Sequence, residues 1–448
     1  MKEKEKEKNT NINPKKNSFL KDISSVMGNK IFIITIEFLS SIIISRQLGV
    51  EGKGIYISLL IFPNLVVSFA EMGIQKATVN YIAKERYSQS DITSVVMFLL
   101  VFSSLLGTSI CGGIYKIIDN SSFSDLMILI SLLLIPLRLT NSYVVGILIG
   151  REQIRLFNRV QFLPFLSKFL FIVLFVLIGR TYINGAITSH LLAAFLTALY
   201  SLWVLSQLGK IRIKYIYEIV KGLLSLGIIY AITLFILNLN YKIDVVILEH
   251  FSSAAEIGKY TTGVNITELI WYLPMALEVV VFSRSANTQN HKEFSYKIAK
   301  LMRVTLISAI FGGVILCLIA PTLIPMLYGN QFIGSARILQ ILMPGVVAFT
   351  IVKILYMDIA GKGKPGITLF ILIPALMMNI ILNLIWIPQY GANGAALAST
   401  VSYSLSGIGF SLMYSYITRI PVSNLFKFQL KDFDFIYQKI NTYHSNKQ

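Results

Sequence analysis

"INGAITSHLLAAFL" runs from Ile183 to Leu196, and "ANGAALASTVSYSL", from Ala392 to Leu405, says nearly the same thing 209 residues later (392 − 183). Two further echoes keep the same order. "GIY" (Gly54 to Tyr56) is answered by "GKY" (Gly258 to Tyr260) after 204 residues (258 − 54). "GILIGREQI" (Gly146 to Ile154) is answered by "DIAGKGKPG" (Asp358 to Gly366), each holding a glycine followed by a basic turn, with Gly150 and Gly361 standing 211 apart (361 − 150). Small residues at a helix start let neighbouring helices approach closely, whatever their origin. Three echoes in one order, at offsets that loop insertions would blur by a few residues, point instead to a duplicated fold.

The material being duplicated is membrane helix. Of the 448 residues 55% are hydrophobic and 14% charged, and the mean hydropathy is +0.68, whereas soluble chains carry about 25% charged residues. The apolar residues form continuous blocks such as "FLFIVLFVLIG" rather than alternating segments. In lipid that pattern selects helices over a closed barrel. Twelve blocks approach or exceed the about 20 residues that span a bilayer, near residues 27–47, 55–83, 92–116, 125–149, 158–180, 184–208, 222–246, 258–283, 300–328, 334–359, 365–388 and 391–417. The quoted echo opens spans 6 and 12, so an even offset gives both copies the same orientation. Two six-helix bundles related by an axis along the membrane normal follow, with a substrate site expected between them. The expected fold is all-α integral membrane: twelve transmembrane helices in two pseudo-symmetric six-helix lobes around a central cavity. Residues 1–22 form a disordered tail, 23–208 the first lobe, 209–221 a linker, 222–418 the second lobe and 419–448 a second tail. The first 22 residues are charged and lack the apolar core of a signal peptide.

The net charge of +18 raises the question of nucleic acid, and its placement answers it. The loops on one side hold only Arg46, Lys53, Lys116, Arg180, Lys259 and Arg337, whereas the tails and the opposite loops hold most of the 40 lysines and arginines. That asymmetry is the positive-inside pattern. It places both termini in the cytoplasm and leaves no nucleic-acid partner to invoke. Cys111 and Cys317 sit inside spans and read as packing.

Enzyme readings find little. "GVEGKG" (Gly49 to Gly54) has a glycine spacing that invites phosphate, but no strand precedes it. His190, His250, His291 and His444 show no metal-ligand spacing, and His190 beside Ser189 reads as helix packing. A membrane polymerase would carry a long outer loop or an acidic motif outside the membrane, and the longest outer connection here is on the order of ten residues.

Some stretches carry a family likeness. "NLNYKIDVVILEHFSSAAEIGKYTTGVNITELIW" (Asn238 to Trp271), "GKGKPGITLFILIPALMMNIILNLIWIPQYGANGAALAST" (Gly361 to Thr400) and "RQLGVEGKGIY" (Arg46 to Tyr56) resemble the polysaccharide flippase branch of the MOP exporter superfamily. The likeness is diffuse and runs from about residue 20 to 418. It implies a two-lobed transporter, without enzymatic activity, that moves a polyprenyl-diphosphate-linked oligosaccharide to the outer leaflet for surface polysaccharide (O-antigen or capsule). A multidrug antiporter of the same superfamily, or a membrane oligosaccharide polymerase, are the alternatives. The lipid bilayer surrounds it, and a polysaccharide polymerase and a chain-length regulator are the protein partners to expect.

Charges inside hydrocarbon mark candidate sites, because each costs roughly 2.5–3.5 kcal/mol at a helix centre facing lipid. Lys76, Arg138, Lys168, Lys242, Lys353, Glu37, Glu71, Asp244, Glu268, Glu278 and Asp358 all lie in or at the edges of spans. Arg138, two residues past Pro136, can hold a phosphate bidentately; Lys168 and Lys353 can add charge for a diphosphate or an acidic sugar, and Lys242 either joins them or pairs with Asp244. Glu37, Glu71 and Glu268 are expected as cavity acids. Asn379 and Asn383 share a helix face and, with Asp244 and Thr400, can offer oxygens to a small hard cation, or Asp244 can carry a proton. No cofactor is expected beyond Na+ or H+ as the coupling ion that the resemblance implies. The bland reading of these side chains is ion pairing and helix packing.

Overall fold

The computed structural model describes residues 14–84, 86–118, 123–288, 290–362 and 365–428. The ends of both expected tails, residues 1–13 and 429–448, lie outside the described residues. Pro14 already begins a helix, within the stretch expected as tail.

Apolar side chains cannot satisfy a backbone in lipid, so each segment satisfies its own by coiling. The helices are α1 (Pro14–Ala70), α2 (Ile74–Ala83), α3 (Gln89–Ile118), α4 (Asp125–Gly150), α5 (Ile154–Phe171), α6 (Tyr182–Leu208), α7 (Tyr217–Phe251), α8 (Ala254–Thr267), α9 (Tyr272–Asn287), α10 (His291–Tyr328), α11 (Gly334–Gly361), α12 (Leu369–Thr418) and α13 (Val422–Phe426). A π-helical turn, Ile172–Ile178, continues α5. Among the described residues nine stretches are long and apolar enough to cross a membrane. Two of these are far longer than one crossing needs: α1 has 57 residues and α12 has 50. Each turns on one glycine in the left-handed region, Gly49 (φ 68°) and Gly391 (φ 55°). A side chain at either position would be strained.

Helices α1 to α6 pack into one lobe, with α4 against α2, α3 and α6 and α5 against α6. Helices α7 to α12 form the other around α11, which touches α8, α9, α10 and α12. Large apolar side chains such as Phe311, Leu318 and Phe370 point outward, each at least 70% exposed. Lipid tails are what cover them, and lipid offers no apolar driving force between helices. Close approach and internal polar contacts must then hold the lobes together.

The echo of Gly54 and Gly258 supplies the closest approach. A β-carbon on Gly54 would overlap the Ala254 carbonyl oxygen, and one on Gly258 would overlap that of Val50. The two copies of the motif therefore meet each other across the lobes, at the end of the bundle farther from the termini. Beside them Lys53, an expected loop cation, is buried: its Nζ donates to Ser45 Oγ and Thr262 Oγ1, both at 2.8 Å. The rings of Tyr328 and Phe332 lie 5.0 and 5.4 Å away. Arg46 donates to the carbonyls of Met326 and Leu327, where α10 ends. Nearer the termini the lobes meet along one flank, where Gly73 and Gly227 abut backbone to backbone and Asn238 donates to Ser68 at 2.8 Å.

Replacing Gly258 by Val is expected to wedge α1 from α8. The cost is that of overpacking, about 1–3 kcal/mol, read as a lower midpoint in a thermal scan of detergent-solubilised protein. An unchanged midpoint would show that the contact bears no load.

Candidate functional site: two related polar centres

The first centre lies inside the first lobe. Pro136 interrupts α4, and Arg138 follows it, half-buried, on the face turned toward α1 and α6. Its Nη1 donates to Asn64 Oδ1, and its Nη2 lies 3.0 Å from Nε2 of His190 on α6. The other ring nitrogen, Nδ1, is 3.1 Å from the Tyr56 hydroxyl. Lys168, on α5, is paired with Glu37 on α1. Arg138, Lys168 and His190 border a cavity of about 560 Å³ that also receives Asn29, Lys30, Gln75, Asn141, Asn158 and Gln161. Asn29, Lys30 and Asn158 lie at the helix ends nearer the termini, so the cavity extends toward that end. With Lys168 and Glu37 cancelling, the guanidinium of Arg138 leaves this centre with a positive charge that only neutral groups touch.

The second centre lies in the second lobe and is sealed. Asp244, on α7, is 1% exposed. Its Oδ2 accepts from the Tyr260 hydroxyl at 2.5 Å and from Ser399 Oγ at 2.6 Å; its Oδ1 accepts from Asn383 Nδ2 at 3.0 Å. Asn383 also donates to Asn379 Oδ1 at 2.9 Å, while Asn383 Oδ1 is buried without a hydrogen-bond partner. A carboxylate in such surroundings is costly unless a proton or a cation accompanies it.

The two centres occupy repeat-related positions. Glu37 and Asp244 are 207 apart (244 − 37), Tyr56 and Tyr260 204 (260 − 56), Lys168 and Asn379 211 (379 − 168), and His190 and Ser399 209 (399 − 190). Each lobe thus sets an acid from its first helix against a tyrosine from its second, a polar residue from its fifth and another from its sixth. In the first lobe the last two are Lys and His; in the second they are Asn and Ser. The equivalent positions are basic in one lobe and neutral in the other.

Residues 43–337, more than half of the chain, match the model of a family described as "Polysaccharide biosynthesis protein". The chain belongs to that family. Among curated relatives, a putative O-antigen transporter of Shigella flexneri is 23% identical over 83% of this chain and 92% of its own length. A probable low-salt glycan biosynthesis flippase of Haloferax volcanii is 22% identical over 88% and 85%. Among solved structures, the lipid II flippase MurJ in an inward closed conformation superposes with a TM-score of 0.70 at 15% identity, covering 92% of both chains. An inward-facing MATE multidrug transporter of the MOP superfamily gives 0.69 at 14% identity, over 87% of this chain and 94% of that one. The fold is that of the MOP superfamily.

Within this family member the expected site residues divide. Arg138 and Lys168 reach one cavity, but Lys168 is ion-paired with Glu37 rather than open. Lys353 stands in the other lobe, 4.2 Å from the centroid of the Trp271 ring, and donates to the Tyr241 hydroxyl at 3.2 Å. Lys242 is half-buried and, among the described residues, does not pair with Asp244, whose oxygens Tyr260, Ser399 and Asn383 occupy. Thr400 turns away from the second centre and donates to the Ile341 carbonyl at 2.7 Å; its neighbour Ser399 takes the expected place, because successive helical residues point about 100° apart. Glu71 lies against Ser142 and near Lys76. Glu268 sits near Tyr272 and Tyr403 in the second lobe. The cavity of about 560 Å³ is lined by first-lobe residues, and a smaller one of about 220 Å³ lies between the lobes, bordered by Ile55 and Ser58 on one side and by Glu249, Ser253 and Ile257 on the other. Tyr56, Asn64, His190, Tyr260 and Ser399 were missed; for four of them the signal was present, since Tyr56, His190, Tyr260 and Ser399 stand inside the quoted echoes.

Breaking the Lys168–Glu37 pair from either side strands a charge in a poorly hydrated place. Glu37→Gln and Lys168→Gln should each destabilise the protein more than the double variant, with a coupling energy of about 1 kcal/mol or more in a double-mutant cycle. Additive losses would mean the pair is solvated.

Proposed function

We propose that the protein is a flippase that carries a polyprenyl-diphosphate-linked oligosaccharide from the cytoplasmic to the outer leaflet of a bacterial inner membrane, for surface polysaccharide synthesis. In this reading α1 and α12 each cross twice, turning at Gly49 and Gly391, and α8 with α9 makes one crossing, which gives twelve spans with both termini cytoplasmic. The observation that carries the proposal is the first-lobe cavity: apolar over most of its wall, bearing Arg138 with neutral partners and several side-chain amides, and extending toward the termini, while the lobes meet at the far end through the Gly54 and Gly258 contacts. The flippase and O-antigen transporter names of the relatives agree with it.

No bond changes in such a cycle, so the protein must only replace the water lost by the headgroup. Arg138 presents a planar fork of donors suited to a phosphate or carboxylate, and the amides of Asn29, Gln75, Asn141, Asn158 and Gln161 can bond sugar hydroxyls in either sense. The prenyl chain stays in lipid. A volume of about 560 Å³ falls in the usual range for ligand pockets. Outward release requires the far end to open, extracting Lys53 from Thr262 and parting the paired glycines, while the nearer end closes over the cavity. A multidrug antiporter with cationic cargo is the weaker reading, because Arg138 repels such cargo.

The second centre is the coupling site in this proposal. Asp244 supplies one charge, and Asn379, Asn383 and Ser399 supply oxygens that suit Na+. If H+ is the coupling ion, a protonated Asp244 instead donates to Asn383 Oδ1 after the amide turns over, an assignment open to amides generally.

Arg138→Ala is expected to abolish export while the protein remains in the membrane, so that lipid-linked repeat units accumulate on the cytoplasmic face. Normal surface polysaccharide in that strain would reject the role of Arg138. Asp244→Asn should leave headgroup binding intact, remove any stabilisation of the purified protein by Na+ over an equal concentration of N-methylglucamine, and slow transport. Unaltered transport would remove Asp244 from the cycle.

A further inference from the structure

The ring of His190 links two groups that the repeat did not bring together in the second lobe. Its repeat partner, Ser399, contacts the acid and the tyrosine; His190 contacts the tyrosine and Arg138. A guanidinium can only donate. Nε2 of His190, 3.0 Å from Arg138 Nη2, must therefore be the accepting nitrogen, and the ring proton sits on Nδ1, facing the Tyr56 oxygen at 3.1 Å. The charged and titratable groups that face the ring are Tyr56 and Glu37 from α1, Arg138 from α4 and Lys168 from α5. Glu37 is engaged by Lys168, which leaves Arg138 as the uncompensated charge the ring touches. With Asn64 holding Nη1 and His190 holding Nη2, the guanidinium is fixed at the cavity edge by two neutral acceptors that do not cancel its charge.

We propose that His190 is a positioning residue of the anion site: its unprotonated Nε2 aims the Arg138 guanidinium into the first-lobe cavity and so raises the affinity for the anionic headgroup. The inference rests on the flippase reading of that cavity. Two cations side by side repel, so Arg138, with Lys168 close by, itself keeps the ring unprotonated and Nε2 available as an acceptor.

The test uses the detergent-solubilised full chain and sulfate as the probe, at pH 8 with ionic strength held fixed and binding read by thermal stabilisation. The wild type is expected to bind. Arg138→Ala is expected to lose binding. His190→Ala should weaken it about tenfold, the scale of one hydrogen bond to a charged group. His190→Gln, which keeps an acceptor near the Nε2 position, should bind within about threefold of the wild type. If Arg138→Ala binds sulfate normally, the reading of the cavity fails and this inference with it. If Arg138→Ala loses binding but His190→Ala does not, the cavity stands and His190 has no part in it. Equal weakening in both His190 variants would make the ring a packing element and overturn the proposal.

Discussion

Hydrocarbon offers no partner to a polar group, and this protein's architecture follows from that single deprivation. Backbone groups pair within helices because nothing else is available. Side chains that carry charge or hydrogen-bonding capacity must find one another inside the lobes. The second centre shows the rule at its strictest: Asp244 gathers donors from α8 and α12, with Asn383 from the first half of the same α12. A network of this kind fixes the mutual rotation of its helices, since turning any one by a residue would strand a carboxylate.

The same deprivation explains why glycine carries so much of the contact between the lobes. Apolar burial gives little attraction when lipid is equally apolar. Backbones must therefore come within van der Waals range, and only the absence of a β-carbon at Gly54, Gly258, Gly73 and Gly227 permits it. Such contacts are tight but neither covalent nor strongly polar. Lys53 differs from them: its ammonium is held by two hydroxyls and two aromatic rings and, among the described residues, by no carboxylate.

Duplication supplied two copies of one polar cluster, and divergence gave them opposite character. Lys168 and His190 stand where the second lobe has Asn379 and Ser399, and Arg138 adds a further cation, so the first copy carries basic groups and the second a carboxylate among neutral donors. The lobes are joined through α1, α7 and α8.

The sequence alone determined the class, the helices and the repeat. Continuous apolar runs are a local property, the placement of lysine and arginine is a property of loops, and the "NGA" and "G-x-Y" echoes can be read by eye. Within the repeat, Asp244, Asn379 and Asn383 were legible as one cluster because two of them share a helix face. Which polar groups meet across helices was decided only by tertiary structure. Thr400 and Ser399 are adjacent in sequence and both polar, yet the rotation of α12 sends one to a backbone carbonyl and the other to Asp244. Lys168 and Arg138 look equivalent in a list of buried cations; the fold gives Lys168 to Glu37 and leaves Arg138 with neutral partners. His190 read as packing because its partners lie 52 and 134 residues away. Periodicity fixes what a helix is, but charge neutralisation depends on helix rotation and neighbour choice, and those are set by the packing of all the helices at once.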